Sequence, residues 1–236
     1  WNIKRSLAIA KALKEHNPQI CIFFGGPQVP DQAEDFLQHN DFIDLCCHGP
    51  GEETFLNILK NYTQKNWSEI AGVSYLQADP AEEKKHFRHQ PQAARQELEQ
   101  LPSPYLSGVF DTLLKQHKDW KGVWETNRGC PFSCSFCDWG SATGAKVLRF
   151  SETRIQAEAE WFGRNQIKQI YLTDANFGLL ARDLDIARQI ASSAQRCGYP
   201  KTFMTQTAKN SPERVIAIHK ILAEAGLQTL AAISLQ

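Results

Sequence analysis

The first seventy residues alternate between two apolar patterns, which predict helices and buried strands in turn. Apolar residues recur every three or four positions from Ile3 to Leu13, as on one face of an amphipathic helix. Ile20 to Phe24 is a continuous apolar run, which is typical of a parallel strand buried on both faces. A polar helix from Asp31 to His39 and a second strand from Phe42 to Cys46 follow. The pattern predicts an open α/β sheet, in which ligands bind at the carboxyl ends of the strands.

The same alternation resumes after Gly122 and continues to the end of the chain. Val123 to Thr126 is predicted to be a strand, and Ser151 is a suitable N-cap for the helix that follows the next loop. Further strands are predicted at Gln169–Thr173, Thr202–Gln206 and Gln228–Ser234, with helices at Ala181–Arg196 and Pro212–Ala225. Four parallel strands do not close a barrel, so we expect the chain to be cut from a longer protein at both ends.

Residues 79–120 differ from both flanking regions and are predicted to form a linker or strap. Ala78 to Gln100 is rich in charged residues and glutamine, which is typical of a solvated face. Two prolines follow in the segment Leu101–Tyr105 and disfavour regular structure. We therefore expect a first domain over residues 1–78 and a second over residues 121–236.

Composition and charge exclude two broad classes of partner. Apolar residues make up 42% of the 236 positions, which suits a globular protein with a core. The 26 basic and 26 acidic residues give a formal charge of zero, so we expect no electrostatic attraction to nucleic acid or to an anionic membrane. No apolar run is long enough to span a bilayer. Seven cysteines, an odd number, do not resemble a disulfide framework, and we expect reduced thiols in the cytoplasm. Four of them are predicted to be small apolar structural residues: Cys21, Cys46, Cys47 and Cys197.

The other three cysteines, Cys130, Cys134 and Cys137, lie within eight residues and carry the clearest chemical signal. Soft thiolate ligands on one short loop suit an iron–sulfur cluster. Three ligands for four irons leave one iron open, and an open coordination position is typical of a metal site that performs chemistry. Two alternatives remain. One is an electron-transfer or redox-sensing cluster with a fourth protein ligand, and the other is a zinc site completed by Asp138 or His117.

The segment from Asn127 to Cys137 resembles the signature of the radical S-adenosylmethionine (radical SAM) superfamily in its Cys-x3-Cys-x2-Cys spacing and in the aromatic residue before the last cysteine. The resemblance implies that the three cysteines bind a [4Fe–4S] cluster, that SAM binds the fourth iron, and that the second domain is part of a (βα)6 barrel. It also implies reductive cleavage of SAM to a 5′-deoxyadenosyl radical. The side chains that the resemblance brings to SAM are Phe136, Asp174, Gln206 and Ser234.

Asp174 lies where the family has a Gly-Gly-Glu motif that meets the amino group of SAM. The corresponding segment here is Thr173–Phe177. The resemblance implies that the carboxylate of Asp174 meets the amino group of SAM. The alternative is a carboxylate that caps the next helix.

Two glycine-rich loops of the first domain resemble those of the cobalamin-binding domain in B12-dependent radical SAM enzymes. Gly25 and Gly26 follow the first strand, and Gly49 and Gly51 precede a helix. The resemblance implies that these glycines let the backbone approach cobalamin, whereas the alternative for the first pair is a tight turn. The family's Asp-x-His-x-x-Gly motif, which supplies an axial cobalt ligand, does not occur in the chain, and His48 is predicted to be a loop residue.

The predicted fold class is α/β, with the second half of a Rossmann-like cobalamin-binding domain followed by the first part of a radical SAM barrel. The predicted function is that of a radical SAM enzyme, with cobalamin-dependent methyl transfer or radical rearrangement on a small-molecule or natural-product substrate. An electron donor such as flavodoxin or ferredoxin is the expected protein partner. The sequence does not distinguish the substrate.

Overall fold

The computed structural model describes residues 2–79, 81, 84–92, 97–117, 119–137 and 146–232. The chain forms two compact units, Trp1–Arg95 and Gln96–Gln236, and each has its own sheet and core. The first unit extends beyond the predicted domain boundary because residues 85–90 belong to its sheet.

The first unit is built on a four-stranded sheet in the order β1-β2-β3-β4. Its elements are α1 (Ile3–His16), β1 (Phe23–Gly25), α2 (Glu34–His39), β2 (Leu45–Cys47), α3 (Gly51–Lys60), β3 (Val73–Ala78) and β4 (Lys85–Gln90). Strands β1 and β2 are parallel, whereas β3 runs antiparallel to both of its neighbours. The carboxyl ends of β1 and β2 therefore lie at the same edge, and the two glycine loops leave the sheet side by side.

Strand β4 corrects the prediction that residues 79–120 form a linker. It pairs with β3 along its whole length, from Val73↔Gln90 to Ala78↔Lys85. The charged residues of this segment suit a strand at the edge of a sheet, because such a strand keeps one side in solvent. The linker prediction is therefore wrong for residues 85–90, and a short helix at Asp111–Gln116 also falls inside the predicted linker.

Two apolar clusters cover the sheet of the first unit. Leu45 and Cys46 are neighbours on β2 and are both fully buried, but they belong to different clusters because successive side chains of a strand point to opposite faces. The cluster around Cys46 includes Ala10 of α1, and the cluster around Leu45 includes Ile58 of α3. The helices therefore cover both faces, as predicted for an α/β sheet.

The second unit is built on a parallel sheet in the order β10-β9-β8-β5. Its elements are a 3₁₀ turn (Leu98–Gln100), α4 (Asp111–Gln116), β5 (Lys121–Trp124), β6 (Asn127–Arg128), β7 (Leu148–Arg149), α5 (Glu152–Arg164), β8 (Gln169–Leu172), α6 (Asp183–Cys197), β9 (Thr202–Gln206), α7 (Pro212–Glu224) and β10 (Gln228–Ala232). Strands β6 and β7 form a separate antiparallel ribbon. The parallel sheet with a helix before each of β8, β9 and β10 confirms the α/β prediction for this region.

Local sequence signals occur at the ends of three helices of the second unit. The Ser151 hydroxyl accepts a hydrogen bond from the Arg154 backbone N–H, which confirms Ser151 as the N-cap of α5. Pro212 is the first residue of α7, and Gly198 ends α6 in the left-handed conformation. Within the part of the chain that the structure describes, no helix combines the length and the apolar character needed to cross a membrane.

The sheet of the second unit has one face against the helices and one open face. Trp124, Leu172 and Phe203 are buried on the helix side. The strand register places a row of alternate side chains on the open face: Val123, Tyr171, Met204 and Leu230. Val123 and Leu230 are 63% and 59% exposed, so this row is accessible. Gln206 follows Met204 on the same side of β9, at the carboxyl end of the sheet.

Candidate active site

The loop that carries the three cysteines leaves and rejoins the second unit through the β6–β7 ribbon. The first residue after β7 donates its backbone N–H to the carbonyl of Thr126 at 3.1 Å. We call the two sides of this closure, Thr126–Arg128 and Leu148–Phe150, the neck, and residues 129–147 the cysteine loop. The neck follows β5 directly. The loop therefore starts at the carboxyl end of a parallel sheet, where α/β proteins bind their ligands.

Gly129 brings the two sides of the cysteine loop into contact next to the neck. Its φ of +117° lies in a region that side-chain-bearing residues rarely adopt. A Cβ atom at this position would lie 1.9 Å from the carbonyl oxygen of Lys146, so the space also excludes a side chain. Cys130 follows immediately, and its position depends on this contact.

A buried carboxylate ties the neck to the end of β8. Asp174 is 1% exposed, and its oxygens accept hydrogen bonds from the Thr126 N–H at 2.7 Å, the Asn127 N–H at 3.2 Å and the Asn127 Nδ2 at 2.7 Å. The Thr126 hydroxyl is a fourth donor. The predicted direct contact with SAM does not fit a carboxylate that is this buried and this fully engaged. Nor does Asp174 cap the next helix, which begins at Asp183. Asp174 is instead a positioning residue for the neck.

The environment of Asp174 also changes its acidity. Burial raises the pKa of the Asp174 carboxyl to about 7, although the hydrogen bonds from Thr126 and Asn127 oppose the rise. The nearby Asp183 carboxylate raises it slightly further. The charge at the base of the cysteine loop is therefore sensitive to pH near neutrality.

Arg182 holds the two sides of the neck together from the start of α6. Its Nη1 donates to the carbonyl of Phe150 at 2.6 Å, and its Nη2 donates to the carbonyl of Thr126 at 2.7 Å. These carbonyls belong to opposite sides of the neck, so one guanidinium group bridges them. The sequence gives no local signal for this role, because the partners are 32 and 56 residues away along the chain.

None of the three cysteines of the loop forms a disulfide. Cys130 and Cys134 are half-buried and Cys137 is exposed. The backbone N–H of Cys137 donates to the carbonyl of Cys134 at 3.1 Å, so these two cysteines stand at the ends of one turn. Three thiols on one loop with fixed ends match the donor set that an iron–sulfur cluster requires. The donor chemistry therefore fits the predicted cluster.

The sulfur atoms are not yet gathered around a common point. Within the described ranges, no group of three His, Cys, Asp or Glu side chains is arranged to hold a metal ion. The zinc alternative stays a prediction, and one of its two candidate ligands, Asp138, lies outside the described residues.

Asn176 contacts the first of the three cysteines. Its Nδ2 donates to the Cys130 Sγ at 3.2 Å. The backbone around it is fixed, because the Asn176 carbonyl accepts the Leu179 N–H at 3.0 Å and the next N–H, of Phe177, donates to the Gln206 carbonyl at 2.8 Å. The sequence analysis compared the segment Thr173–Phe177 with the family motif but assigned no role to Asn176. The sequence feature that could have identified Asn176 is its position just beyond the strand β8.

The remaining side chains predicted to contact SAM differ in their placement. Gln206 stands at the carboxyl end of β9, as predicted, and its Nε2 donates to the Tyr171 hydroxyl at 3.1 Å. Phe136 is 70% exposed, so its ring is free to contact a ligand. Ser234 lies outside the described residues. Tyr171 was not predicted, and it joins the site because the register places it on the open face next to β9.

The glycine loops of the first unit are shaped by backbone conformation and by space. Gly26 has a φ of +97°, and no atom lies within 4 Å of the position that a Cβ would take. Gly51 has the same open space at the start of α3. At Gly49, where φ is +72°, a Cβ would meet the Gln92 side chain at 2.6 Å, whereas a side chain at Gly25 would make ordinary contact with β2. Gly26 and Gly51 therefore have open space beside them at the carboxyl ends of β1 and β2.

His48 takes part in an internal hydrogen-bond chain. Its Nε2 and the Nδ1 of His89 both lie within hydrogen-bond distance of the Ser74 hydroxyl, at 2.8 and 2.9 Å. Burial and the neighbouring His89 lower the pKa of His48. These contacts fit the predicted structural role for His48.

The thiols of the first unit have raised pKa values and are therefore poorly reactive. Burial raises the pKa of Cys46 to about 12 and that of Cys47 to about 11, and it also raises the pKa of Cys21. Since the thiolate is the reactive form, these values support the structural roles predicted for them.

Comparisons with known proteins agree with this site. The chain is 37% identical, over 242 aligned positions and its whole length, to the cobalamin-dependent radical SAM methyltransferase TokK of Streptomyces tokunonensis. It is equally similar to the 2-(S-pantetheinyl)-carbapenam-3-carboxylate methyltransferase of Streptantibioticus cattleyicolor. The chain spans 35% of the length of each of these relatives. No protein-family model matches it.

The fold has a solved counterpart. The radical SAM methyltransferase TsrM of Kitasatospora setae, solved with cobalamin and a [4Fe–4S] cluster bound, superposes with a TM-score of 0.60 over 98% of this chain and 52% of TsrM. The identity of 12% limits that likeness to the fold. The sequence relatives confirm the resemblance that the cysteine loop predicted. The chain belongs to the radical SAM superfamily, in the subgroup whose members also have a cobalamin-binding domain.

Proposed function

We propose that the chain is the cofactor-binding part of a cobalamin-dependent radical SAM methyltransferase. Cys130, Cys134 and Cys137 bind a [4Fe–4S] cluster, and SAM occupies the iron that lacks a protein ligand. The observation that carries the proposal is the cysteine loop, whose three cysteines follow a fixed neck at the carboxyl end of a parallel sheet and form no disulfide. The names of the 37% identical relatives support methyl transfer as the outcome.

The bound groups supply the difficult chemistry: the cluster provides an electron for SAM cleavage, and cobalamin carries a methyl group. The residues of this chain bind and orient them. The neck fixes where the cluster forms, since Asp174 and Arg182 hold it from two different elements. Phe136 lies on the same loop with an exposed ring, which supports its proposed packing against the adenine of SAM.

The open face of the second unit is the proposed route to the reacting atoms. We take the sheet β10-β9-β8-β5 as the first part of a (βα)6 barrel, with the open face toward its interior. Gln206 then stands at the mouth of the barrel, where SAM and the substrate meet. Ser234, which lies outside the described residues, stays a predicted contact of SAM. Tyr171 is held by Gln206 at 3.1 Å and extends the same polar group.

Cobalamin is assigned to the first unit. The glycine loops at the carboxyl ends of β1 and β2, and the open space at Gly26 and Gly51, support this assignment. Gly25 and Gly49 complete the two turns. His48 is bonded to Ser74 and is not proposed as a cobalt ligand.

Anaerobic reconstitution of the full-length protein with iron and sulfide, followed by electron paramagnetic resonance (EPR), tests the cluster. We expect a reduced-cluster signal that shifts when SAM is added. Cys134→Ser should remove the signal, and Cys197→Ser, an exposed thiol outside the cysteine loop, should leave it unchanged. A cluster that ignores SAM would indicate an electron carrier, and zinc without a cluster would indicate a structural metal site. Either result would overturn the proposal.

The substrate is proposed to be a small organic molecule, and the electron donor a small redox protein such as flavodoxin or ferredoxin. One relative is named for a carbapenam carboxylate, so bicyclic β-lactam carboxylates are the first compounds to test. Transfer of a labelled methyl group from SAM to such a compound, in the presence of cobalamin and a reductant, is the expected result. Equal labelling without cobalamin would contradict the cobalamin assignment.

A further inference from the structure

Asn176 contacts one of the three cysteines, and the proposed function assigns no role to its side-chain amide. Its side-chain amide donates to the Cys130 Sγ at 3.2 Å, a distance suited to an N–H···S hydrogen bond. Asn176 follows the end of β8, so it lies outside the cysteine loop. The contact therefore joins a donor from another element to a proposed cluster ligand.

The backbone that carries the Asn176 amide is held by hydrogen bonds on both sides of the residue. The Asn176 carbonyl accepts the Leu179 N–H at 3.0 Å, and the adjacent Phe177 is 1% exposed, with its own N–H and carbonyl bonded to Gln206 and Ala208. Two residues earlier, Asp174 ties the same segment to the neck. The backbone that carries the Asn176 side chain is therefore fixed next to Cys130.

A hydrogen bond to a ligating sulfur acts on the electron affinity of an iron–sulfur cluster. Reduction adds one negative charge that spreads onto the sulfur atoms, and a donor N–H stabilises the reduced state more than the oxidised state. The midpoint potential is therefore higher with the donor than without it. The cluster must accept an electron from a protein donor and pass it to SAM, and both transfers depend on this potential.

Resting on the proposed function, we infer that Asn176 is a positioning residue that sets the potential of the cluster through its hydrogen bond to Cys130. Its amide directs the first cysteine and raises the midpoint potential. This role differs from that of Asp174, which is bonded to the neck and contacts no cysteine in the described structure.

Redox titration of the reconstituted full-length protein, monitored by EPR without SAM, tests the inference. Asn176→Ala removes the donor, and Asn176→Asp replaces it with an oxygen of nearly the same shape that carries negative charge. We expect the midpoint potential to fall in the order wild type, Asn176→Ala, Asn176→Asp. Asn176→Ser, which keeps a shorter donor, should recover part of the difference.

The matched control is Asn165→Ala. Asn165 also donates one amide hydrogen bond, but to the Trp161 carbonyl at the end of α5. The expected fall of the potential in the Asn176 variants, with equal iron content in all variants and an unchanged potential in Asn165→Ala, would support the inference. Unchanged potentials in Asn176→Ala and Asn176→Asp, or the same fall in Asn165→Ala, would overturn it. Both results leave the proposed function intact, whereas a wild-type protein that forms no SAM-responsive cluster would defeat the proposed function itself.

Discussion

At Gly129 the two sides of the cysteine loop approach so closely that only a hydrogen atom fits between them. The position combines a φ of +117° with a potential contact of 1.9 Å to a backbone oxygen. A backbone atom cannot rotate away as a side-chain tip can, so a larger residue must displace the neck. The first cysteine follows directly and would move with it.

Gly129→Ala is expected to lower the free energy of unfolding by at least about 2 kcal/mol and to reduce cluster yield. Urea unfolding of the iron-free protein and iron content after reconstitution measure the two effects. Gly226→Ala is the control, because Gly226 has a φ of +81° but no atom within 4 Å of its Cβ position. It should cost about 1 kcal/mol from backbone strain alone and leave the cluster yield unchanged. Equal effects of the two variants would show that the contact with Lys146 is unimportant.

Asp174 gives the stability of the protein a defined pH dependence. Its folded pKa of about 7 lies above the ordinary value for an aspartate, so the folded state favours the protonated form. The contribution of this group is therefore most favourable below about pH 4 and is lost as pH rises toward 7. Asp174→Asn removes the titration. We expect the stability of wild type relative to this variant to decrease from pH 4 to pH 8 in urea unfolding.

The opposite trend would mean that Asp174 is ionised and stabilised by its four donors. Asp183, whose pKa burial also raises, is present in both proteins and largely cancels in the comparison. Residue-level prediction from the sequence was accurate on position but not on role here. Asp174 was expected at the end of a strand beside the cluster, but its donors, Thr126 and Asn127, are almost fifty residues away along the chain.

Among the elements, α6 has a second task besides packing on the sheet. Arg182 lies immediately before this helix and bonds to a carbonyl on each side of the neck. The helix therefore fixes the distance between the two ends of the cysteine loop. Because α6 also packs closely on α5, as Gly163 and Ser193 show, its position is set by the core of the unit.

Arg182→Met is expected to loosen the neck while the core stays folded. Two buried carbonyls lose charged donors, which costs roughly 1–3 kcal/mol. Amide hydrogen exchange in β6 and β7 should become faster, with little change in β8 and β9. Arg188→Met on the same helix is the control, since its ion pair with Asp185 is exposed and contributes little. Exchange that rises equally across the whole second unit would contradict a local role.

Element prediction failed where the pattern was weakest. The parallel strands and most of the helices were found, and the bounds of β9, Thr202–Gln206, were predicted as observed. The short helix α4 was not found. Strand β4 was missed because Lys85–Gln90 has one apolar residue, Phe87, among charged and polar ones. Its pairing with β3 depends on a neighbour that the local sequence does not reveal.

For the whole molecule, the two units divide the proposed cofactors between them. The cysteine loop belongs to the second unit and the glycine loops to the first. Each cofactor should therefore be removable without loss of the other.

Gly51→Phe should reduce bound cobalamin several-fold and leave the cluster in place, because Gly51 has open space and an unstrained backbone. Cys134→Ser should remove the cluster and leave the bound cobalamin in place. Cobalt and iron content of the full-length protein after reconstitution measure both. Loss of both metals in each variant would show that the sites are not independent.

The neck has a consequence for the protein before any iron is present. Its two sides are joined by backbone pairing, by Asp174 and by Arg182, none of which involves sulfur. A zinc finger gains its fold from the metal. Here the two ends of the metal-binding segment are brought together before the metal binds. Cluster assembly therefore does not include the entropy cost of closing that segment. An iron-free molecule should thus persist as a folded acceptor, which can lose its cluster to oxygen and be loaded again.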